Sequence, residues 1–307
     1  MLLHHEERIV AAIIAALLVA DGLMITRTAA VLDWAGYATF LSIGTATVLL
    51  GIGYRLSRRS EEIALAAVAA GLFILFTIVC SLFNYLLLPV GESRLDPVLI
   101  AIDGRLGYSW PAIVAAVAEF PVFGAVLRNV YFSSLPQLIV VVLLLGFGGR
   151  RDALYRFLLT GVFGALIAIA IWAAMPTFGP AVYYPVAEET VRTLGMVVGP
   201  AYGAELARIA TEGPQVLSPA DALGLIAFPS FHTVMACMAL WFTAPFRRLF
   251  PVFLVVNLLM VPAILVHGGH HLVDLFAGIA VFALALALAG RIVGAPATLP
   301  RQAEIAR

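Results

Sequence analysis

The feature that most constrains this chain is a series of eight apolar runs, most of them long enough to cross a lipid bilayer. A spanning helix needs about 20 mainly apolar residues, because each residue adds about 1.5 Å along the helix axis. Inside a bilayer, backbone polar groups must be paired within the protein, and a helix pairs them within one segment. The predicted spans cover residues 9–24, 35–54, 63–88, 126–147, 154–175, 229–243, 251–266 and 272–292.

Composition agrees with a membrane protein. Of the 307 residues, 63% are hydrophobic and 12% are charged, whereas soluble domains have about 25% charged residues. The predicted fold class is therefore all-α, a polytopic membrane helix bundle of about eight spans with additional interfacial helices. The formal net charge of zero argues against a nucleic-acid partner. All 18 basic residues are arginine, which excludes any chemistry that requires lysine.

The chain divides into three predicted parts. Residues 1–90 are N-terminal spans, residues 91–293 form one membrane domain that carries the chemistry, and residues 294–307 are a cytoplasmic tail. Within the second part, Asp96-Pro97 and Ser109-Trp-Pro111 resemble helix starts with proline in the first turn, and we expect short interfacial helices there. The longest segment between spans is a polar loop over residues 176–227, and its middle, residues 187–210, is predicted to be helical with a break at Gly199-Pro200.

Arginine placement predicts the orientation. The short loops after the second, fourth and sixth spans hold a large share of the arginines, and the positive-inside rule places such loops in the cytoplasm. The loops after the fifth and seventh spans then face the periplasm or exterior of a multi-pass protein of the cell (inner) membrane. The arginines concerned are Arg55, Arg58, Arg59, Arg150, Arg151, Arg156, Arg247 and Arg248.

The residues with chemical potential lie on that outward side. His270 and Asp274 are four residues apart at the start of the eighth span, so they share one helix face and can form a hydrogen bond. A carboxylate that holds Nδ1–H of an imidazole leaves Nε2 free as a nucleophile. His232 at the start of the sixth span can supply an acid and base, and that helix start can bind an anion. Phosphoryl transfer needs this combination of groups.

These residues also carry a family resemblance. Pro229-Ser-Phe-His232 and His270-x-x-x-Asp274-x-x-x-Gly278 resemble two signature motifs of the type 2 phosphatidic acid phosphatase superfamily. Phe228-Pro-Ser-Phe-His-Thr233 and Pro176-Thr-Phe-Gly-Pro180 are similar to its inositol phosphorylceramide synthase-like branch, in a bacterial form. The resemblance implies that His270 forms a phosphohistidine, that Asp274 orients it, and that His232 is the general acid and base.

The phosphatase branch differs from this chain in its phosphate-binding cations. Its first motif needs a lysine, which is missing here, and its third motif has an arginine where this chain has Ile264. This departure favours the synthase-like branch and leaves the neutralisation of phosphate charge to another arginine, for which Arg192 is our first candidate. The predicted phosphate- and substrate-binding residues are Ser230, Gly269, Arg192, Thr177, Tyr131 and Gln137.

Two functional hypotheses follow. The first is a membrane phosphotransferase or phosphatase that acts on a phospholipid or polyprenyl phosphate, without a cofactor or metal, with water or a lipid alcohol as acceptor. The second is a metal- or haem-binding membrane protein that uses His267, His270 and His271 with Asp274 as ligands. The independent motif around His232 favours the first hypothesis. The sequence does not indicate the lipid head group or the oligomeric state.

Overall fold

Helices make up nearly all of the regular structure in residues 2–91 and 93–294, which are the part of the chain that our computed structural model describes. This result confirms the predicted all-α membrane bundle. The predicted tail at residues 294–307 lies outside the described residues, apart from residue 294. The helices are α1 (His5–Ile25), α2 (Trp34–Leu56), α3 (Glu61–Leu86), α4 (Asp96–Arg105), α5 (Trp110–Ala118), α6 (Pro121–Phe132), α7 (Ser134–Phe147), α8 (Arg151–Ala174), α9 (Glu188–Leu194), α10 (Pro200–Glu212), α11 (Phe231–Thr243), α12 (Phe250–His267) and α13 (Leu272–Val293).

Six of these helices are long and apolar enough to cross a membrane. The pair α5 and α6, bent by 118° at the break between them, adds a seventh if it is counted as one broken span. Two helices in the regions of the fourth and sixth predicted spans are short, since α7, which covers only part of the fourth, has 14 residues and α11 has 13. At about 1.5 Å per residue, each covers roughly two thirds of a hydrocarbon core about 30 Å thick.

The fourth predicted span is divided into two helices, α6 and α7, at Ser133. Pro136 lies in the first turn of α7 and has no backbone N–H, so the carbonyl of Phe132 cannot be bonded as in a continuous helix. At the break itself, the hydroxyl of Ser133 donates a hydrogen bond of 2.6 Å to the carbonyl of Val130. Apolar periodicity alone predicted one helix here, and the proline explains why there are two.

The three N-terminal helices form a tightly packed layer. A Cβ on Gly51 of α2 would lie 2.6 Å from the side chain of Val68 on α3, so only glycine allows this approach. The loop after α1 also reaches the segment between α8 and α11 through a two-residue parallel pairing of β1 (Val31–Leu32) with β2 (Val216–Leu217). These contacts hold the three N-terminal helices against the rest of the bundle.

The arginine-bearing loops gather at one end of the bundle. The guanidinium of Arg55, at the end of α2, forms an ion pair of 2.7 Å with the buried Glu7 of α1. The hydroxyl of Tyr155, near the start of α8, donates to the same carboxylate at 2.8 Å. Arg150, before α8, stacks on Phe246 between α11 and α12 at 4.4 Å from the ring centroid. The helices that carry the histidine motifs therefore present those motifs at the opposite end.

The segment between α8 and α11 surrounds that opposite end. Helices α9 and α10 are separated by residues 195–199, which confirms the predicted break before Pro200. Helices α4 and α5 begin at Asp96 and Trp110, as the proline-containing starts predicted. The indole N–H of Trp110 donates to the carbonyl of Leu265 on α12 at 2.8 Å, so α5 is held against the helix that precedes His270.

Candidate active site

Three loops pack together at the end of the bundle away from the clustered arginines. The loop after α8 and the loop before α13 meet through two glycines with positive φ, Gly179 at +80° and Gly269 at +60°. A Cβ on Gly179 would collide with the backbone oxygen of Gly269, so the contact requires glycine. The hydroxyl of Thr177 accepts a hydrogen bond of 2.9 Å from the N–H of Phe228 in the third loop. The three motifs found in the sequence are therefore adjacent in space.

Helices α11 and α13 are joined at their starts. The side chain of Ser230 caps α11 by accepting from the N–H of Thr233 at 3.4 Å. The backbone N–H of Ser230 donates to the carbonyl of Asp274 at 3.0 Å. A Cβ on Gly278, one turn further along α13, would lie 2.5 Å from the carbonyl oxygen of Ser230. This glycine allows direct contact between α11, which carries His232, and α13, which begins two residues after His270.

The predicted histidine–aspartate pair is formed. Nδ1 of His270 lies 3.1 Å from Oδ2 of Asp274, and both side chains are buried. The same carboxylate oxygen accepts a bond of 2.8 Å from the backbone N–H of His271. A carboxylate can only accept, so a neutral His270 ring carries its proton on Nδ1 and has an unprotonated Nε2.

The second histidine of the predicted site faces the first. The ring centroids of His232 and His270 are 6.4 Å apart, with the two planes at 66°. Tyr131 of α6 stacks on His232 at 4.2 Å between centroids and 21° between planes. Tyr131 therefore fixes the orientation of the His232 imidazole.

Both histidines line one cleft of about 570 Å³. Its other walls come from α6, α7, α10 and the loop that precedes α11, and most of the lining side chains are apolar or aromatic. A concave site of this size with a few convergent polar groups is typical of small-molecule binding. The lining residues include Tyr131, Phe178, Tyr202, Leu225, His232 and His270.

A buried acidic cluster on α4 contacts the loop that carries His270 and His271. Nδ1 of His271 lies 2.8 Å from Oδ2 of Asp103, and Nε2 of His271 lies 3.6 Å from Oδ1 of Asp96. Asp96 also accepts the backbone N–H groups of Phe178 and Gly179 at 3.0 and 2.8 Å. Helix α4 thus ties the loop after α8 to the loop before α13.

His271 differs from its neighbour in what surrounds it. Burial acts to lower the pKa of the His271 imidazole, but the carboxylates of Asp96, Asp274 and Asp103 outweigh this effect. The pKa of His271 is therefore raised above its ordinary value. Asp103 was missed in the sequence, although its spacing of seven residues from Asp96 puts both on one face of a helix.

Tyr108 is a further contact that the sequence did not reveal. Its hydroxyl donates to the carbonyl of His270 at 3.1 Å. The pKa of this tyrosine is raised, first because the side chain is buried and then because Asp103 and Asp274 carry negative charge nearby. Only the fold brings Tyr108 against a loop that lies more than 150 residues further along the chain.

Some predicted substrate-binding residues lie away from the cleft. Arg192 is on α9, where its exposed side chain pairs with Glu189 at 2.8 Å. The amide oxygen of Gln137 accepts a bond of 2.7 Å from Asn257 on α12. Neither residue is among those that line the cleft in the described part of the chain. Ser230 is completely buried at the cap of α11.

Two other arginines stack on aromatic side chains that line the cleft. The guanidinium carbon of Arg94 is 4.6 Å from the centroid of Phe178, and that of Arg128 is 5.2 Å from the centroid of Phe132. Both aromatic rings line the cleft. Stacking of this kind places positive charge at the edge of the site without direct contact to the histidines.

The described residues contain no group of three or more His, Cys, Asp or Glu side chains that could hold a metal ion. The fold and the site together define a membrane-embedded helix bundle with a carboxylate-held histidine and a second histidine in one cleft.

A family profile described as the PAP2 superfamily matches residues 97–288, more than half of the chain. The protein belongs to this superfamily, whose activities are in general those of phosphatases and phosphotransferases. No curated protein and no solved structure gave a significant match.

Proposed function

We propose that this protein is an integral-membrane lipid phosphotransferase or phosphatase that works through a phosphohistidine on His270. The observation that carries the proposal is the hydrogen-bonded pair of His270 and Asp274, of which His270 lines the same cleft as His232. Nε2 of a neutral His270 has a lone pair available for attack, because Asp274 binds the opposite ring nitrogen. Membership of the PAP2 superfamily supports phosphoryl chemistry at this site.

The proposed reaction has two steps. Nε2 of His270 attacks phosphorus, the bond between phosphorus and the leaving oxygen breaks, and protonated His232 gives its proton to that oxygen. In the second step an acceptor O–H loses its proton to His232 while its oxygen attacks phosphorus, and the bond to Nε2 breaks. The free N–H groups at the start of α11 can bind the phosphate oxygens in both steps.

The acceptor decides between hydrolysis and transfer. Water as the acceptor releases phosphate, whereas a lipid alcohol receives the phosphoryl-containing group. The absence of the phosphatase-type lysine and the presence of Ile264 in place of an arginine favour transfer, as in the inositol phosphorylceramide synthase-like branch. The mostly apolar cleft supports a phospholipid or polyprenyl phosphate as the donor.

Arg94 and Arg128 are our candidates for balancing the phosphate charge. Their stacking on Phe178 and Phe132 brings them closer to the cleft lining than the exposed pair of Arg192 and Glu189. In this role they would act across an aromatic wall, or turn into the cleft when an anion is present. Arg192, the first candidate from the sequence, would have to leave Glu189 to take part.

The first experiment replaces the proposed nucleophile. In purified protein, His270→Ala should lower turnover of lipid phosphates by at least about 10³-fold, because no other side chain can form the intermediate. A donor with labelled phosphate should leave an acid-labile label on the unchanged protein and none on the variant. His5→Ala, at an exposed position on α1, is the matched control and should retain full activity.

The donor screen covers phosphatidate, polyprenyl diphosphate and phosphatidylinositol, each with and without a lipid alcohol. Phosphate release indicates a phosphatase, and a phosphorylated acceptor indicates a transferase. Full activity of His270→Ala on every donor that the unchanged protein uses would refute the phosphohistidine. Failure of the unchanged protein on all lipid phosphates would refute the substrate class.

A further inference from the structure

A second cavity of about 220 Å³ lies next to the catalytic cleft, between α1, α3, α7, α8 and α11. We call it the apolar slot. Side chains of leucine, phenylalanine, isoleucine and methionine form most of its lining. Its few polar lining groups all lie on α3, and they are Thr77, Cys80, Ser81 and Asn84.

The apolar slot and the catalytic cleft are contiguous. Leu135, Ile226 and Met235 line both of them. Phe231, the residue before His232, lines the slot, while His232 itself lines the cleft. A molecule with its phosphate between the two histidines could therefore extend into the slot without crossing a layer of backbone.

The slot is polar near the cleft, at the C-terminal end of α3, and apolar towards the start of this helix. Tyr85, next to Asn84, donates its hydroxyl proton to the carbonyl of Leu223, a residue that lines the cleft. Leu72 is 12 residues before Asn84, which corresponds to about 18 Å along the helix axis. This order of polarity matches that of a lipid, with the head group region at the cleft and the hydrocarbon beyond it.

Two lining residues, Thr77 and Leu135, are exposed on the surface of the bundle. A chain could therefore enter the slot from the surrounding bilayer. An apolar occupant would restore the dispersion contacts that the lining side chains lack in an empty cavity. Asn84 adds a hydrogen-bonding group, since its buried Oδ1 has no partner.

We infer that the apolar slot binds one hydrocarbon chain of the phosphorylated lipid, and that α3 selects the length of that chain. The inference rests on the proposed function. It assigns a role to the N-terminal helices, because α3 ends before residue 97, where the match to the superfamily begins. Chain selection would thus come from a part of this protein that lies outside the family-matched segment.

The test fills the slot and varies the substrate chain. Ser81→Phe places a large side chain inside the slot, and Thr77→Phe does so from the exposed entrance. Lipid phosphates with one head group and a series of chain lengths are compared by kcat/KM. For each variant we expect the ratio of long-chain to short-chain kcat/KM to fall about tenfold, the effect of roughly two buried methylene groups lost.

Ile74→Phe, on α3 but outside the slot lining, is the matched control and should keep the ratio of the unchanged protein. An unaltered ratio in both Ser81→Phe and Thr77→Phe would overturn the inference. If the unchanged protein turns over no lipid phosphate, the proposed function fails, which is a different outcome.

A binding measurement tests the inference even where the slot variants do not fold or do not turn over substrate. His270→Ala is incubated with a lipid phosphate that carries a photoreactive group in its hydrocarbon chain, and the cross-linked residues are mapped. Cross-links to residues 72–84 of α3 would support the slot. Cross-links confined to helices that do not line it, such as α12, would overturn the inference.

Discussion

Two neighbouring histidines at the start of α13 have different surroundings. His270 faces the cleft and has one carboxylate partner, Asp274. His271 points to the other side, where it is 1% exposed and lies against Asp103 and Asp96. A protonated His271 can donate from both ring nitrogens and offset the charge of these buried carboxylates. His271 thereby stabilises the position of the loop before α13, which includes His270.

The raised pKa of His271 predicts how stability depends on pH. Because the pKa is raised in the folded state, protonated His271 contributes stability below its unfolded value of about 6.5. This contribution is lost as the pH rises through the raised value. Each unit of upward shift corresponds to about 1.4 kcal/mol. Thermal unfolding in detergent should therefore occur at lower temperature as the pH rises from about 6.5 through the raised pKa of His271.

His271→Asn removes the titrating group and should flatten this pH dependence. The charged and titratable groups that face His271 are Asp96 and Asp103 from α4 and Asp274 from α13, with Tyr108 nearby. His5→Asn changes an exposed histidine and should keep the pH profile of the unchanged protein. Identical profiles for His271→Asn and the unchanged protein would refute the role of His271.

The core of the site could be predicted because its residues are close in sequence or belong to motifs. The spacing of four between His270 and Asp274 predicted their contact, although the sequence placed both on one helix face and His270 in fact lies just before α13, next to its N-cap His271. Asp103 could not be paired with His271 in this way, because 168 residues separate them and only the fold brings them together. The same holds for Tyr108. Arginine positions are difficult for another reason, since long flexible side chains reach different partners from one backbone position.

At the scale of helices, the short α11 and the divided fourth span affect the site directly. The break at Ser133 leaves Tyr131 near the end of α6, where it stacks on His232 at 4.2 Å. Apolar runs predicted where helices lie, but local proline chemistry decided where this one was interrupted.

The contact between α11 and α13 gives a test at the same scale. Gly278→Ala would place a Cβ 2.5 Å from the carbonyl oxygen of Ser230 and 2.8 Å from Cβ of Thr233. The helices would have to move apart, at a cost of about 1–3 kcal/mol. We expect a lower unfolding temperature in detergent and a lower kcat, because α11 carries His232 and the start of α13 holds His270 through Asp274.

Gly22→Ala is the matched control for this substitution. Gly22 lies in α1, and a Cβ there meets no atom within 4 Å. Alanine has a higher helix propensity than glycine, so this variant should be as stable as the unchanged protein or slightly more stable. An unaltered unfolding temperature and kcat in Gly278→Ala would contradict the requirement for close contact between α11 and α13.

On the scale of the whole molecule, the bundle has two chemically different ends. One end carries the arginine-bearing loops, where Arg55, Glu7 and Tyr155 connect α1, α2 and α8. The other end carries the cleft and its histidines. Since α8, α11, α12 and α13 each run between these ends, the orientation of one loop determines that of the others. The positive-inside rule predicts that the arginine end faces the cytoplasm and the cleft faces outward.

Single cysteines test this orientation in intact cells. In a protein with Cys80 and Cys237 replaced by alanine, Glu189→Cys lies on α9, in the segment between α8 and α11, and Ser57→Cys lies in the arginine-bearing loop after α2. Both positions are exposed, so burial does not limit their reaction with a membrane-impermeant thiol reagent. We expect Glu189→Cys to be labelled in intact cells and Ser57→Cys only after permeabilisation. The reverse pattern would place the cleft in the cytoplasm, and the lipid phosphate would then have to be drawn from the inner leaflet.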